Sequence, residues 1–232
     1  MKYGALILVA GLAACGSPGR RVAETPVIRP SDVTDFRVLY TQNCSGCHGI
    51  DGQGALAVAI GSPVYLAIAD DATIRRVIEQ GRPGTAMPAF GKTAGGMLTD
   101  RQVDVLIRGM RQRWARTGAL GSDKLPAYAA SQSGDTARGH NVFTTFCSSC
   151  HGSDGRGGRA GSIVDTSYLA LVSDQHLRTS TITGMPALGA PDWRGNVPGK
   201  PMSDADVTDV VAWLAAQRLP LSAQSNHPGG SE

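Results

Sequence analysis

The 232-residue sequence predicts an all-α protein built from two successive domains, and three observations support this. A shift of 103 residues superposes one half of the chain on the other, apolar residues recur at helical spacing, and no segment alternates as a strand does. The residue pairs that this shift aligns include Cys44/Cys147, His48/His151, Gly52/Gly155, Tyr65/Tyr168, Arg75/Arg178 and Pro88/Pro191. A register that continues over this length indicates an internal duplication.

Each half is expected to contain the same helices in the same order. The helices predicted from apolar spacing lie at 32–43, at 71–80 and after Thr99 in the first half, and at 136–146, at 174–182 and after Ser203 in the second. Thr99 and Ser203 are each followed by an aspartate, which is typical of a helix N-terminus. Glycine-rich and proline-rich loops separate the helices.

The pentapeptide Cys-x-x-Cys-His occurs once in each half. It comprises Cys44, Cys47 and His48 in the first half and Cys147, Cys150 and His151 in the second. This spacing is the attachment signature of c-type haem, in which two thiols add to the haem vinyl groups and the histidine ligates iron. A redox dithiol does not require the histidine, and a zinc site would leave the spacing of the two pairs unexplained. The motifs therefore predict two covalently bound haem c groups.

The N-terminus has the features of a bacterial export signal. Lys2 precedes an apolar stretch at 5–14, which is too short to span a bilayer because a span needs about 20 residues. The stretch ends in Leu12-Ala13-Ala14-Cys15, which resembles a lipobox, and Cys15 is the one cysteine outside the haem motifs. We therefore expect a lipid on Cys15 that anchors the protein to a membrane on the periplasmic side of the cell envelope. An ordinary signal peptide with an incidental cysteine is the alternative.

These features divide the chain into segments. The expected order is a lipoprotein signal peptide at 1–15, a flexible tether at 16–31, domain 1 at 32–117, a linker at 118–134, domain 2 at 135–219 and a disordered tail at 220–232. The formal net charge is +3, and no basic run indicates binding to nucleic acid.

Both halves resemble class I cytochrome c. The residues that carry the resemblance are Gly139-x-x-x-Phe143-x-x-x-Cys147-x-x-Cys150-His151-Gly152, Met87-Pro88-Ala89-Phe90 and Asp209-Val210-Val211-Ala212-Trp213-Leu214. The likeness covers nearly all of residues 32–218. It implies two tandem class I cytochrome c domains, each wrapped around one haem.

In that family the first and last helices cross, with a glycine of one beneath an aromatic ring of the other. Gly139 and Trp213 supply this pair in domain 2. Domain 1 has Phe36 at the position of Gly139 and Gly109 at the position of Trp213, so we expect an exchanged contact with Phe36 packed on Gly109. Glycine is unfavourable inside a helix, and such a contact would explain its presence there.

The family's sixth iron ligand is a methionine in a loop after the short helix. In domain 1, Met87 has this position and is followed by proline. Met110 falls on an apolar helix face, and Met97 is expected to pack within a loop. A histidine and a methionine together close the iron to other ligands, which suits electron transfer. Met87 is therefore the expected sixth ligand of haem 1.

Domain 2 departs from this pattern, because Ala190 stands at the register of Met87. Met185 has the same Met-Pro-Ala context five residues earlier, and Met202 directly precedes the last predicted helix. Three possibilities remain open for haem 2: Met185 as the ligand, Met202 as the ligand, or no protein thioether. His176 could substitute as a ligand, but its place on the predicted short helix favours a solvated or capped histidine.

Two further residues are expected near the haems. Pro63 is expected to orient His48 through its carbonyl oxygen. Trp193 is expected beside a haem edge, as Phe90 is, and not to form a docking surface.

The expected function is electron transfer, not catalysis. The chain would take electrons from a membrane quinol-oxidising or dehydrogenase complex and deliver them to a terminal oxidase or a soluble cytochrome, a role similar to that of dihaem cytochrome subunits of respiratory complexes. The alternative is a dihaem enzyme, either a peroxidase or a sulfur-compound dehydrogenase, that uses an open haem 2.

Overall fold

The computed structural model describes residues 28–54, 56–116, 118, 120 and 124–218. The expected signal peptide, Cys15, most of the tether and the tail lie outside these residues. Within them the chain forms helices, and its two isolated bridges, Gly91–Leu98 and Met185–Ala190, do not extend into strands. The all-α prediction is confirmed. None of the described helices is long and apolar enough to cross a membrane.

Each half contains five α-helices among its described residues. Domain 1 has α1 (Phe36–Asn43), α2 (Ser45–His48), α3 (Pro63–Ile68), α4 (Asp71–Gln80) and α5 (Asp100–Trp114). Domain 2 repeats them as α6 (Thr136–Phe146), α7 (Ser148–His151), α8 (Thr166–Leu171), α9 (Asp174–Thr183) and α10 (Asp204–Ala215). Short 3-10 turns cover Pro30–Asp32, Lys92–Ala94 and Pro186–Leu188.

The helix starts follow capping side chains. The prediction that the first helix begins at 32 is wrong, because Asp35 caps it: its carboxylate accepts the Val38 N–H at 2.8 Å. The helices after Thr99 and Ser203 begin as predicted, and both have a capping box. The short helices α3 and α8 were not predicted, because six residues are too few to show a periodic apolar pattern.

The first and last helices of each domain cross at a glycine. This glycine lies on the last helix in domain 1 and on the first helix in domain 2. A Cβ on Gly109 of α5 would lie 2.1 Å from the ring carbon Cδ2 of Phe36 on α1. A Cβ on Gly139 of α6 would lie 2.0 Å from the carbonyl oxygen of Asp209 and 2.8 Å from the Cβ of Trp213 on α10. The expected exchange of glycine and aromatic residue is confirmed.

The two domains pack against each other through α3 and α9. Val64 on α3 is 4% exposed and belongs to the core cluster of domain 2, and Ile68 on the same face packs against that cluster. Residues four positions apart share one face of a helix, so α3 presents a continuous apolar edge to domain 2.

The described part of the linker is hydrogen-bonded to domain 2. The carbonyl oxygen of Ala127 accepts two bonds from the Arg178 guanidinium, from Nε at 3.0 Å and Nη2 at 2.8 Å. The Ala127 N–H donates to Asp204 at 2.8 Å, and the Tyr128 carbonyl accepts from Gln175 at 2.7 Å. These bonds hold residues 127–128 along α9 and the start of α10.

Candidate haem centres

Each Cys-x-x-Cys-His motif forms one short helical turn after a break in the preceding helix. Cys44 ends α1, where its N–H donates to the Tyr40 carbonyl at 2.8 Å, and the His48 N–H donates to the Cys44 carbonyl at 3.0 Å. This turn puts the two thiols and the imidazole on one wall of the domain. Domain 2 repeats the geometry. The thiols of Cys44, Cys47, Cys147 and Cys150 are all free.

The first thiol of each motif is more enclosed than the second. Burial raises the pKa of Cys44 and of Cys147 to about 12, and the neighbouring thiol adds to both shifts. Cys47 is exposed. Each motif therefore has one thiol that faces the interior of the domain and one at its edge.

The orientation of each histidine is fixed by a backbone carbonyl ten residues later. The Nδ1 atom of His48 lies 2.8 Å from the Val58 oxygen, and that of His151 lies 2.9 Å from the Gly161 oxygen. A proton on Nδ1 makes Nε2 the nitrogen that binds a metal. The prediction that Pro63 supplies this carbonyl is wrong: Pro63 instead begins α3.

These residues fit covalent haem attachment. Each domain supplies two unpaired thiols and one imidazole whose Nε2 is available for iron, which is the donor set that haem c requires. Burial lowers the pKa of His48, which keeps its imidazole in the neutral form that ligates metal. When bound, haem iron accepts and donates single electrons by cycling between its ferric and ferrous states.

The loop that carries Met87 is shaped by hydrogen bonds within domain 1. The Arg82 N–H donates to the Met87 carbonyl at 2.9 Å, and the Phe90 N–H donates to the Ile78 carbonyl on α4 at 3.0 Å. A Cβ on Gly81 would lie 2.5 Å from the carbonyl carbon of Pro88, so the loop folds back closely on the end of α4.

The corresponding loop of domain 2 is closed by two reciprocal backbone hydrogen bonds. The Met185 N–H donates to the Ala190 carbonyl at 3.0 Å, and the Ala190 N–H donates to the Met185 carbonyl at 3.2 Å. The first bond matches that from Arg82 to Met87. The structure thus places Ala190 at the position of Met87 and Met185 at that of Arg82.

The remaining methionines differ in burial. Met202 is 1% exposed, and its N–H donates to the Trp193 carbonyl at 2.9 Å, as that of Leu98 does to Phe90 at 2.8 Å. The Met202 side chain therefore packs in the core of domain 2, just before the last helix begins. Met110 is also buried, whereas Met97, which was expected to pack in its loop, is 79% exposed.

His176 lies at the seam between the domains. A solvated or capped histidine was expected, and α9 carries His176 into a half-buried position. Burial lowers the pKa of His176 to about 4, and the electrostatic effects of His48 and Arg82 lower it further. The Arg82 guanidinium also donates to the hydroxyl of Tyr128 in the linker. Sequence reasoning missed this cluster, because its members come from four separate segments.

Two family models match the chain, one in each half. The model described as cytochrome C oxidase, cbb3-type, subunit III matches residues 31–108, and the model described as cytochrome c matches residues 136–217. Both ranges contain one attachment motif and the helices around it. Each half is therefore a c-type cytochrome domain.

Three relatives show the breadth of the similarity. The cbb3-type cytochrome c oxidase subunit CcoP of Azospirillum sp. is 29% identical over 77% of this chain and 60% of its own length. The cytochrome bc1 complex cytochrome c subunit of Mycobacterium bovis is 23% identical over 97% of this chain and 76% of its own length. Cytochrome c55X of Paracoccus denitrificans is 34% identical over 37% of this chain and 72% of its own length. The chain belongs to the class I cytochrome c family, as a dihaem member with one covalently bound haem c in each domain.

Proposed function

We propose that this dihaem cytochrome is an electron-transfer protein that passes electrons between its two haems and two protein partners. The proposed attachment and proximal ligand residues are Cys44, Cys47 and His48 for haem 1 and Cys147, Cys150 and His151 for haem 2. The carbonyls of Val58 and Gly161 support this assignment, because each holds the imidazole with Nε2 available for iron.

The proposed sixth ligands are Met87 for haem 1 and Met185 for haem 2. The single observation that carries the proposal is the Met185–Ala190 pair. Side chains of directly opposed residues leave an antiparallel pair on the same face, with Cβ atoms about 4.5–5.5 Å apart. Met185 therefore leaves the loop on the face where Ala190 replaces a methionine, and its flexible side chain can supply the missing thioether. Met202 is less suitable, because the core already encloses it.

Two haems with histidine and methionine ligands favour electron transfer over catalysis. A closed coordination sphere excludes exogenous substrates and raises the reduction potential. The contact between the domains supports electron transfer from one haem to the other. Val64 of domain 1 is buried in the core cluster of domain 2, so the two proposed haem sites belong to one packed unit.

We propose a membrane quinol-oxidising or dehydrogenase complex as the electron donor, and a terminal oxidase or soluble cytochrome as the acceptor. Relatives named as a bc1 complex cytochrome c subunit and as a cbb3-type oxidase subunit support partners of this kind. The chain spans 60% of the length of the Azospirillum subunit, so the activity of that whole protein is not carried over.

The proposed location is the periplasmic side of the cell envelope, with a lipid on Cys15 as the anchor. Replacing Cys15 with alanine is expected to move the cytochrome from the membrane to the soluble fraction of cells. Retention of the C15A protein in detergent-washed membranes would contradict a purely lipid anchor and would indicate a fixed subunit of a complex.

The charge-transfer band between methionine sulfur and ferric iron tests the ligand assignment. We expect two methionine-ligated haems per chain when this band is scaled to total haem. Met87→Leu and Met185→Leu should each remove half of the band, and Met202→Leu, the matched control, should leave it intact. A band that survives Met185→Leu but is halved by Met202→Leu would reverse the assignment at haem 2.

A second candidate function follows from Ala190. If the protein has only one methionine-ligated haem and Met185→Leu does not change the band, haem 2 has an open position. Peroxide or small-ligand binding to the ferric protein would then favour a dihaem peroxidase or a sulfur-compound dehydrogenase.

A further inference from the structure

A cavity of about 620 Å³ lies where domain 1, the linker and domain 2 meet. Domain 1 supplies most of its wall from α4 and the turn after it, the linker supplies Tyr128, and domain 2 supplies Ser173 and Gln175 at the start of α9. This volume is within the range of small-molecule sites, which is about 300–1,000 Å³. None of the described lining residues belongs to an attachment motif, so the cavity is separate from the proposed haem attachment sites.

Arg76 and Arg82 give this cavity its positive charge. The Arg82 guanidinium donates to the Tyr128 hydroxyl, and Nη2 of Arg76 donates to the Thr73 hydroxyl at 3.3 Å. In the part of the chain that the structure describes, neither guanidinium forms an ion pair with a carboxylate. Burial raises the pKa of Tyr128, whereas Arg82 and Arg76 both oppose this rise through their charges, so the two arginines act at the same place. Each guanidinium has five N–H donors and therefore retains donors for a ligand.

One carboxylate, that of Asp70, also lines the cavity. It is engaged with the backbone, because it caps α4 and accepts the Thr73 N–H at 2.7 Å. The two arginines outnumber this carboxylate, so the wall carries a net positive charge.

The duplicated fold does not require these arginines. Thr179 and Met185 stand at the registers of Arg76 and Arg82 in domain 2. Thr179 is 2% exposed, and its hydroxyl donates to the Gln175 carbonyl within α9 at 2.7 Å. The arginine pair is therefore a feature of the cavity and not of the helix packing that the two domains share.

We propose that this cavity binds a phosphate monoester, with the phosphate held by Arg76 and Arg82 and the organic group packed on Val77 and Pro83. Guanidinium groups bind phosphate oxygens through paired, charge-assisted hydrogen bonds. A phosphate monoester carries a charge of about −1.5 to −2 at neutral pH, which matches two arginines. Inorganic phosphate has no group that could pack on the apolar part of the wall, so the ester is the better fit.

Titration calorimetry of the reduced, full-length holoprotein with phenyl phosphate tests the site. We expect one saturable site per chain. Arg76→Gln and Arg82→Gln should each weaken binding by about tenfold to hundredfold, because each removes charge-assisted hydrogen bonds to the phosphate. The matched control is Arg108→Gln, which removes the same charge from an exposed position on α5 outside the cavity and should leave the affinity unchanged.

Asp70→Asn should change the affinity in the opposite direction. Asparagine caps a helix as well as aspartate does, so α4 keeps its start, but the negative charge in the wall is lost. We expect phenyl phosphate to bind about twofold to fivefold more tightly to this variant, since a repulsive charge has been removed. A variant that only disturbed the fold would not bind more tightly.

Two further ligands test which groups the cavity recognises. Inorganic phosphate should bind more weakly than phenyl phosphate, because it lacks an apolar group. Glycerophosphoglycerol, the soluble headgroup of an anionic phospholipid, should also bind more weakly, because a diester carries one negative charge. Equal affinity for inorganic phosphate, or tighter binding of the lipid headgroup, would contradict a monoester site.

Absence of saturable binding at millimolar phenyl phosphate overturns the inference. Equal affinities of R76Q, R82Q and R108Q overturn it as well, and weaker binding to D70N would place the ligand elsewhere. These measurements depend neither on methionine ligation nor on electron transfer. Failure of this inference therefore leaves the proposed function intact, and failure of the proposed function leaves the cavity and its arginines in place.

Discussion

The ring of Phe36 lies where a side chain on Gly109 would stand, and domain 2 makes the same helix crossing with the partners reversed, as Gly139 and Trp213. In both domains a glycine on one helix makes room for the other helix at the crossing, and either helix can provide that glycine. The duplication therefore kept the crossing while the glycine and the aromatic residue exchanged helices.

Gly109→Ala should destabilise the protein. The new methyl group would lie 2.1 Å from the Phe36 ring, and overpacking of this kind costs about 1–3 kcal/mol, more than the helix propensity that alanine gains. Chemical denaturation of the holoprotein measures the change. Gly46→Ala is the control, because a Cβ there meets nothing within 4 Å and Ser149 stands at the same register. A stabilised G109A protein would show that the exchanged contact does not exist.

Much of this fold could be predicted from the sequence, because the duplication means that a helix or motif predicted in one half is expected at the equivalent position of the other half. The helices at 71–80 and 136–146 have the predicted bounds, since both show clear apolar spacing between capping and breaking residues. The α3 and α8 helices could not be predicted, because six residues are too few for periodicity to appear. The role of α3 in the contact between the domains depends on Val64, which the sequence alone does not distinguish from other apolar core residues.

Arg178→Ala should destabilise domain 2 and its junction with the linker by about 2–4 kcal/mol. The Arg178 side chain is 3% exposed and bonds to the Ala127 carbonyl, to Asp204 and to Thr208, so its loss leaves several acceptors without a donor. Thermal and chemical unfolding of the holoprotein measure the loss.

The repeat provides a matched control for Arg178. Arg75 has the same register in domain 1, but its side chain is 35% exposed and its partners are the carboxylates of Glu79 and Asp104. Arg75→Ala should cost less than about 1 kcal/mol, because exposed ion pairs contribute little. Equal costs for the two variants would contradict a structural role for the buried linker contacts.

Tyr128→Phe should weaken the methionine ligation of haem 1. The Tyr128 hydroxyl accepts a bond from the Arg82 guanidinium, and the Arg82 N–H in turn holds the Met87 carbonyl. Without the hydroxyl, we expect the alkaline loss of the methionine charge-transfer band to begin about one pH unit lower, since a bond to a charged group contributes about 1.5 kcal/mol. Tyr168→Phe in domain 2 is the control. An unchanged alkaline transition in Y128F would mean that the linker does not support the ligand loop.

The candidate sites were only partly predictable for a physical reason. Motif spacing is local, so it indicates the attachment residues directly. The carbonyl that orients His48 belongs to Val58 and not to Pro63, because the path of a glycine-rich loop is set by backbone bonds that leave no side-chain signal. The pairing of Met185 with Ala190 could not be predicted from the sequence either, because it depends on how the loop folds back on itself.

Stability should depend on pH through His176. Burial lowers its pKa to about 4 in the folded protein, whereas the pKa of an unfolded histidine is near 6.5. The unfolded chain therefore binds this proton more readily between these values. The contribution of neutral His176 to stability is complete above about pH 6.5 and is lost as pH falls towards 4, at up to about 1.4 kcal/mol per pH unit.

His176→Gln should flatten this dependence between about pH 4 and 6.5, because glutamine does not titrate. Denaturant unfolding of the holoprotein at several pH values measures the slope directly. His140→Gln is the control, since His140 is exposed on α6 and its replacement should leave the slope of the wild type unchanged. If H176Q loses stability with falling pH as steeply as the wild type, the acid sensitivity comes from other groups and His176 is not held neutral at the seam.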